Sequence, residues 1–363
     1  MEHMFATLGG IHMLICIGMD VHAKKLTCYG IPFDEGDVEA EEFCTEFNRE
    51  FKVMSGEKKD MIRLSKWLKD VDHSILIESG SKTHEVFWTL TDNGCTVVVA
   101  NANDLFRITM SVKKTDFHDC RELASYMRRR MLGEKEFSVC LMVDSVWLNR
   151  RQMCRLYAAA ASDLSDLRRR IRSYMLVRGI TIEDLGRDIV SEASLKKLEE
   201  VADVPMGFLI EEARWKTAEQ KRILKAIEKE FADVPYYNLL KSIRGFGPVT
   251  SSYLTAMIID INRFDSPAAF AAYFGIVPKQ RESAGHSKHC GITRRGDDVA
   301  RQMLLTATMV HVGNDRDRVS SITNMYYRLR ARGMPNKKAM TACTNKMTRI
   351  IYAILKDGRE YRE

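Results

Sequence analysis

The sequence lacks the features that mark several large classes of protein. Its nine cysteines are odd in number and form no Cys-x-x-Cys pair, which disfavours a disulfide framework and predicts reduced thiols in a cytoplasm. The apolar run at 11–19 is far too short to cross a bilayer, so no membrane partner is expected. Valine, histidine, alanine and two lysines follow Asp20 where a nucleotide-binding fold would have a glycine-rich phosphate loop. These absences disfavour secreted scaffolds, membrane proteins and sugar-kinase or actin-like ATPases.

The composition is that of a folded protein, and its charge is unevenly distributed. With 363 residues, 45% hydrophobic and 29% charged, the chain is long enough for two domains. Residues 236–363 carry 21 Lys and Arg against 10 Asp and Glu, although the whole chain has a net charge of only +7. The distribution predicts one part that binds a polyanion and another that holds metal. A basic surface that is only solvated would have the same composition.

Four acidic residues stand in distinctive local settings. Asp20 and Glu78 each end an apolar run that is typical of a buried strand, and Asp116 and Asp119 lie three apart on a predicted helix. If the strand ends meet that helix, four carboxylates converge. Such a centre suits a pair of Mg²⁺ (or Mn²⁺) ions that attack a phosphodiester.

The pattern of the first 140 residues predicts an α/β domain. Its order is β-β-β-α-β-α-β-α, with acids at the ends of the first and fourth strands and on the last helix, which is the order of a ribonuclease H-like domain. Thr115 is the expected N-cap of that last helix. The predicted strands are 13–20, 26–32, 41–47, 74–78 and 95–100, and the predicted helices are 58–70, 83–92 and 116–130.

The middle of the chain, residues 145–233, is predicted to be largely helical. Apolar residues recur on one face, as at Ile223, Ile227 and Phe231, which favours long paired helices within one chain or between two. One face is basic and is a candidate for tracking a phosphate backbone, unless it is simply solvated; it comprises Arg168, Arg169, Arg170 and Arg172.

A glycine-containing turn opens the last third of the chain, after Pro235. Free amides at such a turn and at the start of the following helix bind phosphate without reading sequence, although an ordinary helix–helix turn looks alike. The candidate residues are Lys241, Arg244, Gly245, Gly247 and Thr250.

Six stretches of the chain together resemble one family, the DEDD-type insertion-sequence transposases, a group of bridge-RNA-guided serine recombinases. The similar stretches are 18–25, 78–80, 114–119, 245–250, 264–278 and 283–297. Each stretch is weak by itself, and their order and spacing carry the resemblance.

The resemblance implies a domain organisation and a fold class, α/β plus α. It gives a flexible extension at 1–12, a RuvC-like DEDD domain at 13–140, a helical coiled-coil region at 141–234 and a mostly helical transposase domain at 235–363 with a helix-hairpin-helix-like turn. The implied partners are donor and target DNA, a structured guide RNA and further copies of the chain in a dimer or tetramer. The implied setting is a prokaryotic cytoplasm, at the nucleoid.

The resemblance also implies a set of catalytic residues. Asp20, Glu78, Asp116 and Asp119 would be the metal-binding acids, and Ser283 would be the nucleophile. Ser287 is the other serine of the loop, and the family more often has two glycines where this chain has Ser283-Ala284-Gly285. Further candidate nucleic-acid contacts are Lys114, Arg281, Arg294 and Arg295.

Three functions stay open once the resemblance is added to the residues. The first, which the resemblance implies, is an RNA-guided DNA recombinase that excises and inserts its own mobile element through serine attack on DNA. The second is a RuvC-like junction nuclease that uses metal-activated water. The third is an RNA-binding protein without catalysis, which the presence of all four acids and the serine disfavours.

Overall fold

The computed structural model describes residues 13–105, 115–182, 185–283, 286–293 and 296–362, and of 278–283 and 286–290 only the backbone. The chain divides into two compact units, Met1–Val143 and Asp144–Glu363. The predicted boundary after residue 140 lies close to this division.

A five-stranded mixed sheet forms the centre of the first unit. The strand order is β3-β2-β1-β4-β5, in which β1 pairs antiparallel with β2 and parallel with β4. The strands are β1 (Leu14–Val21), β2 (Lys25–Pro32), β3 (Val53–Ser55), β4 (Asp72–Glu78) and β5 (Val97–Ala100). The central strand β1 is buried on both faces, because Ile15, Cys16 and Ile17 are all 0% exposed. It therefore supplies a rigid base for the residues at its end.

Helices pack on the sheet of the first unit, and one of them has the N-cap that the sequence predicts. The helices are α1 (Val38–Glu50), α2 (Lys58–Trp67), α3 (Thr83–Asp92) and α4 (Asp116–Met131). The Thr115 side chain accepts a hydrogen bond from the His118 amide, which confirms it as the N-cap of α4. Cap geometry thus fixes where the helix that carries Asp116 and Asp119 begins.

The predicted strand at 41–47 is wrong, because these residues lie in helix α1. Ala40, Cys44 and Phe47 are buried at a spacing of three to four residues, and Asp37 accepts a hydrogen bond from the Ala40 amide as N-cap. The third strand of the sheet is instead the short β3, after the helix. A capped, amphipathic helical face outweighed the local strand-like residues.

The middle residues are helical, as predicted. They form α5 (Ser145–Arg178), α6 (Glu192–Glu199) and α7 (Val204–Phe231). Helices α5 and α7 run antiparallel, since Asp163 pairs with Lys216 at 2.6 Å and Arg150 with Glu230 at 3.1 Å. Both Ile227 and Phe231 are 0% exposed, which shows that the predicted apolar face is buried within this chain.

The remainder of the second unit is a helical assembly with one hairpin. It comprises α8 (Pro235–Lys241), α9 (Pro248–Ile258), α10 (Pro267–Tyr273), β6 (Pro278–Ser283), β7 (His286–Ile292), α11 (Asp298–Asn314), α12 (Ser321–Ala331) and α13 (Asn336–Asp357). Its core continues into the ends of α5 and α7, where Cys154 and Phe231 join the same buried cluster as Leu254 and Ile351. The predicted boundary after residue 234 thus lies inside one continuous core.

Two sequence expectations concern thiols and membranes. The eight cysteines whose side chains the structure describes are all free thiols. None of the helices in those residues combines the length and the hydropathy needed to span a bilayer.

Candidate functional site

Two of the predicted acids lie side by side at one edge of the sheet. Strands β1 and β4 are parallel, with Met19 opposite Ile77, so the next residues along, Asp20 and Glu78, end neighbouring strands at the same edge. Parallel strands keep this register because their backbone hydrogen bonds fix it. The sheet itself therefore brings together two residues that are far apart in sequence.

Helix α4 lies directly against β1, which brings the other two acids to this edge. A Cβ added to Gly18 would lie 1.9 Å from the Cys120 carbonyl oxygen and 2.6 Å from the Ala124 amide nitrogen, so only glycine permits this approach. The buried Cys120 thiol donates a hydrogen bond to the Thr27 carbonyl at 3.0 Å. Since Thr27 is paired with Asp20, this bond fastens the helix beside the acid.

His22 and Lys25 surround Asp116 at the start of α4. The Nε2 atom of His22 lies 3.0 Å from Oδ2 of Asp20 and 3.6 Å from Oδ1 of Asp116. The Lys25 ammonium donates a short hydrogen bond to the other oxygen of Asp116. Within the described residues, Asp20, His22 and Asp116 form a group whose ligand atoms all lie within 4.8 Å of one another.

The electrostatics separates these carboxylates into two kinds. Burial raises the pKa of Asp20, to which the charge of Asp116 adds, while His22 opposes the shift. Burial also raises the pKa of Glu78, and the charges of Asp20 and Asp119 raise it further. The hydrogen bond from Lys25 lowers the pKa of Asp116. All four acids therefore interact, and two of them are held in a setting that disfavours their own negative charge.

The residues after Glu78 hold its backbone in place. Thr83 donates from Oγ1 to the Glu78 carbonyl at 3.0 Å and accepts from the Gly80 amide at 2.8 Å. The Ala102 amide donates to Ser79 Oγ at 3.3 Å. Hydrogen bonds to residues 78–80 thus fix the end of β4 and with it the position of Glu78.

The arrangement suits divalent metal by its donor chemistry. Carboxylate oxygens are the ligands that Mg²⁺ and Mn²⁺ take, and an imidazole nitrogen is an additional donor for Mn²⁺. Burial is the main cause of the raised pKa of Asp20 and Glu78, and a cation there would relieve the repulsion between carboxylates that adds to it. The metal assignment of the four acids stays a prediction.

The glycine turn of the second unit is fastened by a buried histidine. Gly245 has φ +92° and approaches the Ala307 carbonyl so closely that a Cβ there would lie 2.6 Å from its oxygen. Nδ1 of His311 contacts the Arg244 carbonyl at 3.0 Å, and Nε2 contacts Ser320 Oγ at 2.7 Å. Because a carbonyl only accepts, Nδ1 carries the proton and Nε2 accepts from the serine.

The start of α9 has no side-chain cap. Gly247 is its N-cap and offers no side-chain acceptor, so the first amides of the helix, including that of Thr250, lack this partner. Lys241 lies over the Tyr237 ring, and Arg244 lies 3.6 Å from the buried Asp315. The turn has the geometry for a phosphate contact, which stays a prediction.

The predicted basic face of α5 is paired with carboxylates of the same unit. Arg168 donates to both oxygens of Asp188, at 2.8 and 3.2 Å, and Arg170 donates to Glu212 at 2.8 Å. Arg169 pairs with Asp166 one helical turn before it, and Arg172 donates to the Arg187 carbonyl at 3.4 Å. Phosphate binding at this face would have to compete with these pairs.

The candidate nucleophile lies at the tip of the β6–β7 hairpin. Ser283 is the last residue of β6 and pairs with His286, and Ser287 pairs with Glu282. Arg281 lies in the same strand, and its side chain is outside the described part of the protein. Lys114, Arg294 and Arg295 also lie outside the described residues.

Three residues that shape the acid centre were not predicted as site residues: His22, which the sequence places two residues after Asp20, Lys25 and Cys120. The β1–β2 turn was the available signal for the first two, since a tight hairpin returns residues 22 and 25 to the end of the strand that carries Asp20. Cys120 gave no signal, because its role depends on how closely α4 approaches the sheet.

Comparison with known proteins gives matches to transposases. Residues 237–321 match the family described as "Transposase IS116/IS110/IS902 family". The chain is 32% identical over 142 residues to the transposase for insertion sequence element IS1111A of Coxiella burnetii, a match that covers 38% of this chain and 37% of that protein. It is 28% identical over 162 residues to the "Probable family 20 transposase" of Pseudomonas aeruginosa, which covers 44% of this chain and 48% of the relative.

These matches are partial in length. The chain spans between 32% and 48% of the length of the first curated relatives that it matches. In sequence, therefore, the chain is similar to curated transposases, and its residues 237–321 are similar to the transposase domain of the IS116/IS110/IS902 family.

Proposed function

We propose that this protein is a DNA transposase that cuts and rejoins DNA to move its own insertion element. The observation that carries the proposal is the convergence of acids at one edge of the sheet: Asp20 lies close to Asp116, and Glu78 ends the strand next to that of Asp20 and interacts with it. The similarity of residues 237–321 to a transposase family supports the same activity.

The first unit is proposed to be ribonuclease H-like, of the RuvC type. Three antiparallel strands are followed by two parallel ones, in the order β3-β2-β1-β4-β5. The acids stand at the ends of the first and fourth strands and at the start of α4. This combination of strand order and acid placement supports the assignment.

Asp20, Glu78, Asp116 and Asp119 are proposed to hold Mg²⁺ or Mn²⁺. The metal, when bound, neutralises phosphate oxygens and lowers the pKa of an attacking hydroxyl. The chain's own residues fix the geometry: β1 and β4 hold two acids in register, and Gly18 lets α4 bring the others close. Lys25 shares Asp116 and keeps one of its oxygens turned away from His22.

Ser283 is proposed as the nucleophile toward DNA. Its Oγ forms a bond to phosphorus, and the bond from phosphorus to a deoxyribose oxygen breaks. The hydroxyl proton passes through solvent to that leaving oxygen. The covalent phosphoserine keeps the energy of the broken bond, so strands can be rejoined without ATP. Its backbone lies at the end of β6, where it pairs with His286 beside the turn of the hairpin.

A junction nuclease is the alternative, in which water replaces Ser283. The serine and water mechanisms are distinguished by trapping the reaction with denaturant and searching for DNA adducts by mass spectrometry. We expect an adduct on Ser283 that is absent from Ser283→Ala and present in the matched control Ser287→Ala. An adduct on Ser287, or strand exchange by Ser283→Ala, would contradict the serine mechanism.

The metal centre is tested separately, by calorimetric titration of Mn²⁺ into Asp116→Asn. Removing one carboxylate of a crowded set should weaken binding without unfolding the unit. Glu35→Gln is the control, since Glu35 is an exposed carboxylate of the same unit that pairs with Arg128. Equal affinities for wild type and Asp116→Asn would exclude this acid as a ligand.

We propose that a structured RNA guides the protein to its DNA sites, as the family resemblance implies. The basic composition of residues 236–363 supports a polyanionic partner. Sequencing of the RNA that copurifies with the protein tests the idea. A single folded species is expected, and a random sample of cellular RNA would contradict it.

Assembly of several copies is proposed to involve the helices of residues 145–233. Most of their apolar surface is buried within the chain, but Leu176 and Val177 at the end of α5 are both 82% exposed, and Phe208 near the start of α7 is 68% exposed. Light scattering should show a dimer or tetramer that Leu176→Glu weakens. A monomer with and without nucleic acid would refute the assembly.

A further inference from the structure

His22 lies beside the acid centre, two residues after Asp20 in the sequence. It follows β1 in the turn to β2, and its backbone amide donates to the Lys25 carbonyl at 3.0 Å, which holds the turn. A single ring nitrogen, Nε2, faces both Asp20 and Asp116. The imidazole is therefore positioned by a fixed backbone and directed at two carboxylates from different elements.

The distances around Nε2 are those of neighbouring ligands on one ion. Ligands about 2.1 Å from a cation and at right angles to each other stand about 3 Å apart. The Nε2 atom lies 3.0 Å from the Asp20 oxygen and 3.6 Å from the Asp116 oxygen, and all three donor atoms lie within 4.8 Å of one another, so one ion could take all three as ligands. Lys25 occupies the other oxygen of Asp116, which leaves the oxygen near His22 for the ion.

A different role for His22 predicts the same metal-free geometry. A protonated imidazole between two carboxylates is a counter-charge, and its pairing there is a partly exposed ion pair of small energy. The two roles differ once a cation is added. A ligand keeps its nitrogen on the ion, whereas a counter-charge is displaced by it.

We propose that His22 is a nitrogen ligand of the metal centre and makes that centre select Mn²⁺ over Mg²⁺. The inference rests on the proposed metal-binding function of Asp20 and Asp116 and adds a donor of a different kind. Mg²⁺ prefers oxygen ligands alone, while affinity for nitrogen-containing sites rises along the first transition row from Mn²⁺ onward. A mixed set of carboxylates and one imidazole therefore favours Mn²⁺.

The test is pulsed electron paramagnetic resonance of Mn²⁺ bound to the full-length protein. A directly bound imidazole gives a ¹⁴N coupling to the electron spin, which carboxylates and water do not. We expect this coupling in wild type and its loss in His22→Asn. His118→Asn is the matched control, because His118 follows Asp116 by two residues on α4 and is not part of the three-residue group.

Competition titrations give a second readout that does not depend on activity. In His22→Asn, the affinity for Mn²⁺ should fall by roughly tenfold, while the affinity for Mg²⁺ should change little. The ratio of the Mn²⁺ affinity to the Mg²⁺ affinity should therefore decrease. Bound Mn²⁺ without ¹⁴N coupling in wild type, or coupling lost in His118→Asn instead, overturns the role of His22 and leaves the acid centre standing. No Mn²⁺ binding by wild type overturns the centre itself.

Discussion

Replacing Gly18 by alanine should push helix α4, which carries Asp116 and Asp119, away from strand β1, which carries Asp20. Gly18 lies two residues before Asp20 on β1, and its missing side chain leaves room for the backbone of α4. An added methyl group would lie 1.9 Å from the Cys120 carbonyl oxygen and 2.6 Å from the Ala124 amide nitrogen. Both are backbone atoms inside a helix, so no side-chain rotation relieves the overlap.

The size of the required movement sets the expected effect. Ordinary contacts of a Cβ begin near 3.4 Å, so α4 has to withdraw by about 1.5 Å to relieve the 1.9 Å contact. Overpacking of this kind costs about 1–3 kcal/mol of the free energy of unfolding. A misplacement of about 1 Å at a reactive centre costs on the order of 100-fold in rate. Because Asp116 and Asp119 move with the helix, we expect metal affinity and DNA cleavage to fall together.

Urea unfolding, Mn²⁺ calorimetry and DNA cleavage would be measured on Gly18→Ala and on a control, Gly80→Ala. The control adds the same methyl group beside the same centre, but its Cβ would meet only Thr83 Oγ1 at 3.7 Å, an ordinary contact. Wild-type metal affinity in a folded Gly18→Ala protein would refute the claim that helix approach positions the acids. An equal loss in both variants would show that the effect belongs to any added bulk near the site.

Further predictions concern the pH dependence, the core and the glycine turn. Glu78 has a raised pKa in the folded protein, so its stabilising contribution is present below its unfolded value near 4.3 and is lost as pH rises through the folded value. Metal-free Glu78→Gln should therefore unfold at higher urea than wild type at pH 7, with the difference vanishing near pH 4. Phe231→Ala should lose about 3–5 kcal/mol in the second unit, and Trp215→Ala, at a position 55% exposed, much less. His311→Ala removes a hydrogen bond to the Arg244 carbonyl, which should cost about 1–3 kcal/mol and weaken DNA binding at the turn.

Much of the acid centre followed from strand and helix signals in the sequence. Apolar runs that end in an acid gave Asp20 and Glu78 at strand ends, because a buried strand must be apolar and its end reaches the sheet edge. Thr115 gave the start of α4, because its hydroxyl accepts from an amide that the helix leaves unpaired. These are local rules, and they hold wherever the local preference agrees with the packing.

The features that the sequence did not predict depend on how closely helices, strands and loops pack against one another. The helix at 38–50 reads as a strand over a few residues, and only its packing of Ala40, Cys44 and Phe47 decides the outcome. The arginines of α5 read as a basic face, yet Arg168 and Arg170 meet carboxylates from Asp188 and from α7. Such contacts join residues 20 to 42 positions apart, where no short pattern specifies the partner.

Two pairs of carboxylates in this protein differ in the direction of their pKa shift, and the contrast bears on function. Asp188 and Glu199 each accept hydrogen bonds from an arginine, and the pKa of each is lowered by it. Their charge is stabilised by the fold, as expected for ion pairs that hold helices together. Asp20 and Glu78 show the opposite, since burial and neighbouring carboxylates raise the pKa of both.

Carboxylates that lie close together repel each other and destabilise the fold unless a positive charge lies between them. Keeping Asp20 and Glu78 charged at the rigid ends of β1 and β4 costs free energy. An arginine or an amide side chain at either position would avoid this cost. A divalent cation removes the cost, because it binds the charged form of each acid and shifts the balance away from the protonated one. The raised pKa of Asp20 and Glu78 therefore predicts that Mn²⁺ binding releases protons at any pH where these two carboxyls are partly protonated, measurable as a buffer-dependent heat. Heats that are independent of the buffer would contradict binding at these two carboxylates.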